Sequence, residues 1–156
     1  LAAILSYSRA IASGLGSGYA PGAPGTAGSV LGLALGALIL LAGGTLPLIA
    51  AIMAVSAAGI WSINALGLAQ ADPGWIVIDE IAGQMIAMLA LTHVTIPGLI
   101  IAFLLFRAFD ITKPGPIGWA DAQHNAWGVM GDDWLAGAAS CIILLLLHLV
   151  IRGAWL

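Results

Sequence analysis

Apolar residues run along this chain in long stretches, interrupted by short segments rich in Gly and Pro or in charge. No Asp, Glu, Lys or Arg occurs in the 62 residues between Arg9 and Asp72, in the 26 between Glu80 and Arg107, or in the 18 between Asp133 and Arg152. The first gap exceeds one membrane crossing and carries its own punctuation. Gly14 to Ser29 is Gly- and Pro-rich and reads as a loop. A first helix is predicted over 27–42, a turn at Gly43-Gly44-Thr45 with Pro47, and a second helix over 46–68. A third helix spans 79–92, a short turn lies at His93 to Pro97, and a fourth helix spans 97–111. Pro97 suits a first helical turn, whereas Lys113-Pro114 halts propagation. A fifth helix is predicted over 134–151.

Composition decides what surrounds these helices. Of 156 residues, 62% are hydrophobic and 7% charged, against about 25% charged in an ordinary soluble domain. So short a chain cannot enclose that much apolar surface. A soluble globule, a disordered chain and a basic nucleic-acid binder are excluded. The expected class is all-α, a single membrane-embedded bundle over residues 1–156 with four to five spanning or partly embedded helices. The third and fourth helices reach only about 22 Å, short of a hydrocarbon core of about 30 Å. They are expected either to be buried in the bundle or to carry charged ends below the headgroups. The lone Cys141 excludes a disulfide framework and a cysteine metal cluster. Residues 1–12 lack the features of a signal peptide.

Following five spans across the membrane puts all seven acidic residues on one face, with Arg9, Arg107 and Lys113. Arg152 and His93 fall on the other. The Lys and Arg asymmetry predicts that the charged face is cytoplasmic. Seven acids against three bases would repel one another, and a divalent cation relieves that repulsion. Oxygen ligands favour Mg²⁺ over Zn²⁺.

Several constellations carry candidate chemistry. Asp79-Glu80 opens an apolar helix, as helix-dipole capping or as a pair of metal ligands. Gln84 lies one turn on and can orient Glu80. Arg107, Asp110 and Lys113 recur at i, i+3 and i+6. They form either a structural ion-pair ladder or, beside a metal, a phosphate site in which Arg is a bidentate fork and Lys a point charge. Pro114 and Pro116 would stiffen that loop. The run from Gly16-Ser17-Gly18 to Thr26 and Ser29 is Gly-rich before a helix. It is a candidate anion cradle or simply a re-entrant loop, and it lacks the Lys of a P-loop. Asp132 and Asp133 precede the fifth helix as caps or as metal ligands. His93 and His148 are poorly placed for catalysis, and His124 lies on the charged face. Trp61, Trp75, Trp119, Trp127, Trp134 and Trp155 lie near helix ends, as an interfacial belt would.

In order and spacing, Gly16-Ser17-Gly18, Pro24 to Ser29, Ile78-Asp79-Glu80 with Gly83, Phe106 to Asp110, Lys113 to Ile117, and Asp132-Asp133 with Ala136-Gly137 resemble bacterial phosphatidylglycerophosphatase A. The likeness runs from about Ser13 to Gly137. It implies a Mg²⁺-dependent lipid phosphatase of the bacterial inner membrane, with its site facing the cytoplasm. The implied reaction converts phosphatidylglycerophosphate to phosphatidylglycerol and inorganic phosphate. Asn125 to Met130 departs from the family pattern, one residue shorter, next to His124.

The expected site follows. Asp79, Glu80, Asp110 and Asp133 are metal ligands, and Asp132 or Asp133 is the general base. Arg107 and Lys113, with Gly16, Ser17, Gly18, Thr26 and Ser29, bind phosphate. Attack by water and an aspartyl-phosphate intermediate both stay open. Two other classes compete. A CDP-alcohol phosphotransferase would need an Asp-Gly pair followed by Ala-Arg, which is absent. A small transporter would carry its ionisable groups at mid-membrane in broken helices.

Overall fold

The computed structural model describes residues 1–151. The expectations for Arg152 and Trp155 lie outside them. The described chain is helical: α1 (Ala2–Ala12), α2 (Pro24–Gly43), α3 (Thr45–Leu66), α4 (Ile78–Ala87), α5 (Ile96–Thr112), α6 (Pro116–Asp121) and α7 (Ala126–Ile151). Short 3₁₀ turns occupy Ser17–Tyr19 and Met88–Ala90.

Among the described residues, three helices are long and apolar enough to cross a membrane: Pro24–Gly43, Thr45–Leu66 and Ala126–Val150. Their outward side chains are themselves apolar. Leu38 and Leu41 on α2, Leu46 and Met53 on α3, and Leu145, Leu146 and Leu149 on α7 are all exposed. Such a surface suits lipid, not water. Trp61, Trp119 and Trp127 are also exposed.

The α2–α3 hairpin turns at Gly44, whose φ is +76°, where the sequence predicts it. The fourth predicted helix is also found. Pro97 lies in the first turn of α5, the Thr95 hydroxyl accepts from the Gly98 N–H at 3.2 Å, and the helix stops at Thr112 before Lys113 and Pro114. The third predicted helix is shorter than its 79–92 range. It closes as α-helix at Ala87 and continues as the 3₁₀ turn.

Two helices lie outside the predicted set. α1 packs against α3, and α6 packs against α7. The largest correction concerns the fifth helix, which begins at Ala126, not Trp134. The Asn125 side-chain oxygen accepts from the N–H groups of Trp127 and Gly128 at 2.9 and 3.0 Å, which caps the start. Asp132 and Asp133 therefore sit well inside α7 and are not its caps.

α4 is the axis of the bundle. It packs against α7, α2, α3 and α5, and every residue but Glu80 and Ile86 is buried. At about 15 Å it is too short to span, and it is enclosed by the longer helices. Lipid tails are as apolar as the bundle, so close backbone approach supplies the attraction. A Cβ on Gly32 of α2 would lie 2.7 Å from the Ile81 carbonyl oxygen, and one on Gly36 would lie 2.7 Å from the Met88 sulfur. On the other side, a Cβ on Gly83 would lie 2.6 Å from the Asp133 carbonyl oxygen, and one on Gly137 would strike the Gly83 carbonyl oxygen.

The contact at Gly137 is unforgiving because the nearest atom is a backbone carbonyl oxygen and the next is the Ile86 Cβ at 2.9 Å. Gly137→Ala is expected to cost about 1–3 kcal/mol by overpacking. Gly74→Ala, where an added Cβ meets nothing within 4 Å, is expected to be neutral. Thermal unfolding of both variants in detergent checks this, and equal melting points would contradict it.

Candidate active site

The charged residues converge at one end of the bundle. Asp79 and Glu80 stand in the first turn of α4. Successive helical residues point about 100° apart, so two adjacent acids serve two directions. The same holds for Asp132 and Asp133 on α7. Asp132 Oδ2 accepts from Lys113 Nζ at 2.6 Å. Asp133 turns the other way and joins Asp79 and Glu80. One carboxylate oxygen from each of these three lies within 4.8 Å of the others.

Asp110 stands beside this group. Its Oδ2 pairs with Arg107 Nη1 one turn back on α5, and its charge acts on both Glu80 and Asp133. Arg107 Nη1 also donates to Ser29 Oγ at 3.3 Å, and Ser29 Oγ in turn donates to the Gly25 carbonyl at 2.8 Å. Ser29 is fully buried and holds the guanidinium from behind. Gly25 opens the way. A Cβ there would collide with Glu80 Oε1 and lie 3.2 Å from Arg107 Nη1. The amino end of α2 thus rests on both groups.

Lys113 caps α5 with φ of +45°, in the left-handed region. Its ammonium bridges Asp121 and Asp132. Burial works against that charge, but the hydrogen bonds to Asp121 and Asp132 and the charges of the two carboxylates together hold the Lys113 pKa above its ordinary value. Asp72 carries a raised pKa, chiefly through burial, with Lys113 opposing and Asp121 adding to the rise. It too faces this end of the bundle. Asp121 and Asp72 were not among the predicted site residues. The charge distribution groups them with the other acids without indicating a partner.

Other predicted residues fall differently. The Gly16 N–H donates to Ser13 Oγ at 3.1 Å, and Ser17 Oγ donates to the Ser13 carbonyl at 3.3 Å. A Cβ on Gly18 would strike the Trp75 carbonyl oxygen. This loop packs on the segment leading into α4, where Trp75 also stacks on Tyr19 and receives the Arg9 guanidinium at 5.7 Å. The described contacts of Gly16, Ser17 and Gly18 are therefore with the protein's own loop. Thr26 lies in the first turn of α2, next to Gly25. Gln84 does not orient Glu80, since both of its amide atoms are buried without a hydrogen-bond partner.

The unpartnered atoms mark what the site can hold. Glu80 Oε2, Asp133 Oδ1 and Arg107 Nε are buried without a partner. Two free carboxylate oxygens in a group of three acids fit a hard divalent cation, which takes oxygen ligands. A free guanidinium N–H beside them fits a phosphate oxygen. Burial pushes the Glu80 carboxyl up to about 8, with the charges of Asp133 and Asp110 adding to the rise. Asp79 is also raised, by burial and then by the Glu80 charge.

Fold and site together define a helical membrane protein in which clustered carboxylates meet Arg and Lys, an arrangement suited to a phosphorylated ligand. The family profile described as "PgpA: Phosphatidylglycerophosphatase A" matches residues 10–148. A Bacteroides thetaiotaomicron protein bearing the name "Putative phosphatidylinositol-3-phosphatase" is 37% identical over 153 residues, covering 90% of this chain and 93% of its own. Phosphatidylglycerophosphatase A of Haemophilus influenzae is 36% identical over 137 residues, covering 86% of this chain and 84% of its own. The Escherichia coli K12 protein of the same name is 33% identical over 137 residues, covering 86% and 79%. No solved structure matches the chain. The chain belongs to the phosphatidylglycerophosphatase A family and is a phosphoric monoester hydrolase acting on lipid.

The raised Glu80 pKa has a consequence for stability without divalent cations. The ordinary value is 4.5 and the folded value about 8, so the folded state holds this proton more tightly than the unfolded state. The resulting stability is present below about pH 4.5 and is lost as pH rises through about 8. In chelator, the protein is expected to melt lower at about pH 8 than at about pH 5, and Glu80→Gln is expected to flatten that slope. Identical slopes for the two proteins would contradict this.

Proposed function

We propose that this chain is a Mg²⁺-dependent phosphatase of the bacterial inner membrane. It hydrolyses the terminal phosphomonoester of phosphatidylglycerophosphate to phosphatidylglycerol and inorganic phosphate, at a site facing the cytoplasm. The observation that carries this reading is the convergence of Asp79, Glu80 and Asp133, with free buried oxygens, on the Arg107–Asp110 pair and Lys113. Names of the Haemophilus and Escherichia relatives support the substrate, and the three apolar helices support the membrane setting.

Asp79, Glu80 and Asp133 would hold the cation, with Asp110 beside them. When bound, Mg²⁺ supplies charge to the phosphoryl oxygens and lowers the pKa of a bound water. The chain's own residues do the rest. Arg107 has five N–H donors, of which Nη1 is engaged by Ser29 and Asp110 while Nε is free. It can therefore grip a phosphate oxygen without leaving Asp110. Lys113 has three donors and spends two on Asp121 and Asp132, which leaves one for phosphate. Asp133 is committed to the three-acid group, so Asp132 is the carboxylate we assign to accept a proton from the attacking water. Positioning and charge stabilisation are the main demands of phosphoryl transfer, and these residues meet them with little exposed surface. The ionisable groups of this site lie at one end of the bundle, which argues against a transporter with a mid-membrane centre.

Asp79→Asn, assayed in detergent with saturating Mg²⁺, is expected to lower phosphate release roughly a hundredfold. EDTA is expected to abolish release by the unaltered chain. Near-normal activity of folded Asp79→Asn, or activity untouched by EDTA, would overturn the metal assignment. Release from phosphatidylinositol 3-phosphate in place of phosphatidylglycerophosphate would overturn the substrate assignment and favour the chemistry named for the Bacteroides relative.

A further inference from the structure

Beside the Lys113 loop lies an apolar groove of about 450 Å³ that the reaction chemistry does not use. Phe109 and Pro116 form one wall, and Leu135, Ala138, Ala139 and Ile142 of α7 form the other. We propose that this groove seats one acyl chain of the phospholipid substrate. The proposal rests on the phosphatase reading and adds to it a second contact with the same molecule.

The groove and the charged site are built from the same elements. On α7, Asp132, Leu135, Ala139 and Ile142 follow one another at steps of three and four residues, so they form one stripe along a single helix face. The stripe begins at the Asp132–Lys113 ion pair and becomes wholly apolar below it. On α5, Phe109 of the groove directly precedes Asp110. In the following loop, Pro114 of the groove directly follows Lys113, and Pro116 lies two residues further on. A ligand whose phosphate reached Lys113 would therefore meet this trough next, running along a helix long and apolar enough to cross the membrane.

The shape selects a flexible chain. Ala138 and Ala139 are small and half-buried, and they leave the depression, while Ile142 and Leu135 stand exposed at its rim. The groove offers apolar walls at a lipid-facing position, and at its head stands Lys113, which keeps one donor beyond its pairs with Asp121 and Asp132. That suits a hydrocarbon tail joined to a headgroup that reaches this donor.

Ala138→Phe places a bulky ring in a groove whose lining holds no charged residue. The probes are the long-chain diacyl phosphatidylglycerophosphate and its dihexanoyl counterpart, with phosphate release measured for both. The expected result is a loss of roughly tenfold in kcat/KM, carried by KM, for the long-chain lipid, with the short-chain lipid within about twofold of the unaltered chain. Retained short-chain turnover also reports that the variant is folded. Ile142→Phe, one turn further along α7 in the same lining, is expected to act in the same direction. An equal loss on both lipids in both variants, or no loss on either, would overturn the groove assignment. If the unaltered chain released phosphate from neither lipid, the phosphatase reading itself would fail, taking the groove assignment with it.

Discussion

Three carboxylates placed within 4.8 Å of one another inside a membrane bundle are the constraint to which the rest of this structure answers. Each like charge raises the cost of its neighbours, and burial removes the water that would screen them. The response is to gather the chain's scarce cations around the group. Arg107 takes Asp110, and Lys113 takes Asp132 and Asp121. What remains unmatched is the core of the cluster itself, where Glu80 and Asp133 keep free buried oxygens. A proton or a divalent cation can satisfy them, and Glu80 accordingly holds its proton up to about pH 8. The site is poised to exchange protons for a metal.

Helix packing makes this arrangement possible. α4 is too short to span and contributes little lipid-facing surface. It can carry two adjacent acids because α2, α3, α5 and α7 enclose it. The enclosure depends on absent side chains. Gly25 lets the end of α2 reach Glu80 and Arg107, and the Gly83–Gly137 contact draws Asp133 of α7 against α4. The glycines of this chain are thus part of the site's electrostatics. They set the distance between carboxylates borne on different helices.

Much of this was legible in the sequence, and the failures have physical reasons. The charge gaps located α2 and α3, and Lys113-Pro114 fixed the end of α5. Asp79, Glu80, Arg107 and Asp110 stood out because charges are so few. The fifth helix begins eight residues before its predicted start; Gly128, Gly131 and two adjacent acids look like a loop and its cap. The true signal was Asn125, a good capping residue just before the helix. α1 went unread because its polar residues, Ser6, Ser8 and Arg9, broke an apolar run that stays short. Gly16-Ser17-Gly18 suggested an anion cradle, yet a loop beside Trp75 requires the same residues for close packing. Gln84 had the right spacing to reach Glu80, but helical spacing alone does not aim an amide. Which three acids meet could not be read locally, since Asp133 lies more than fifty residues from Asp79.

The central claim is that Asp79, Glu80 and Asp133 together hold a divalent cation. Its most direct test is anomalous diffraction from crystals grown with Mn²⁺ in place of Mg²⁺. The account predicts a peak within direct ligand distance of all three carboxylates. An ordered site with no peak there, or a peak confined to Asp121 and Asp132 beside Lys113, would contradict it.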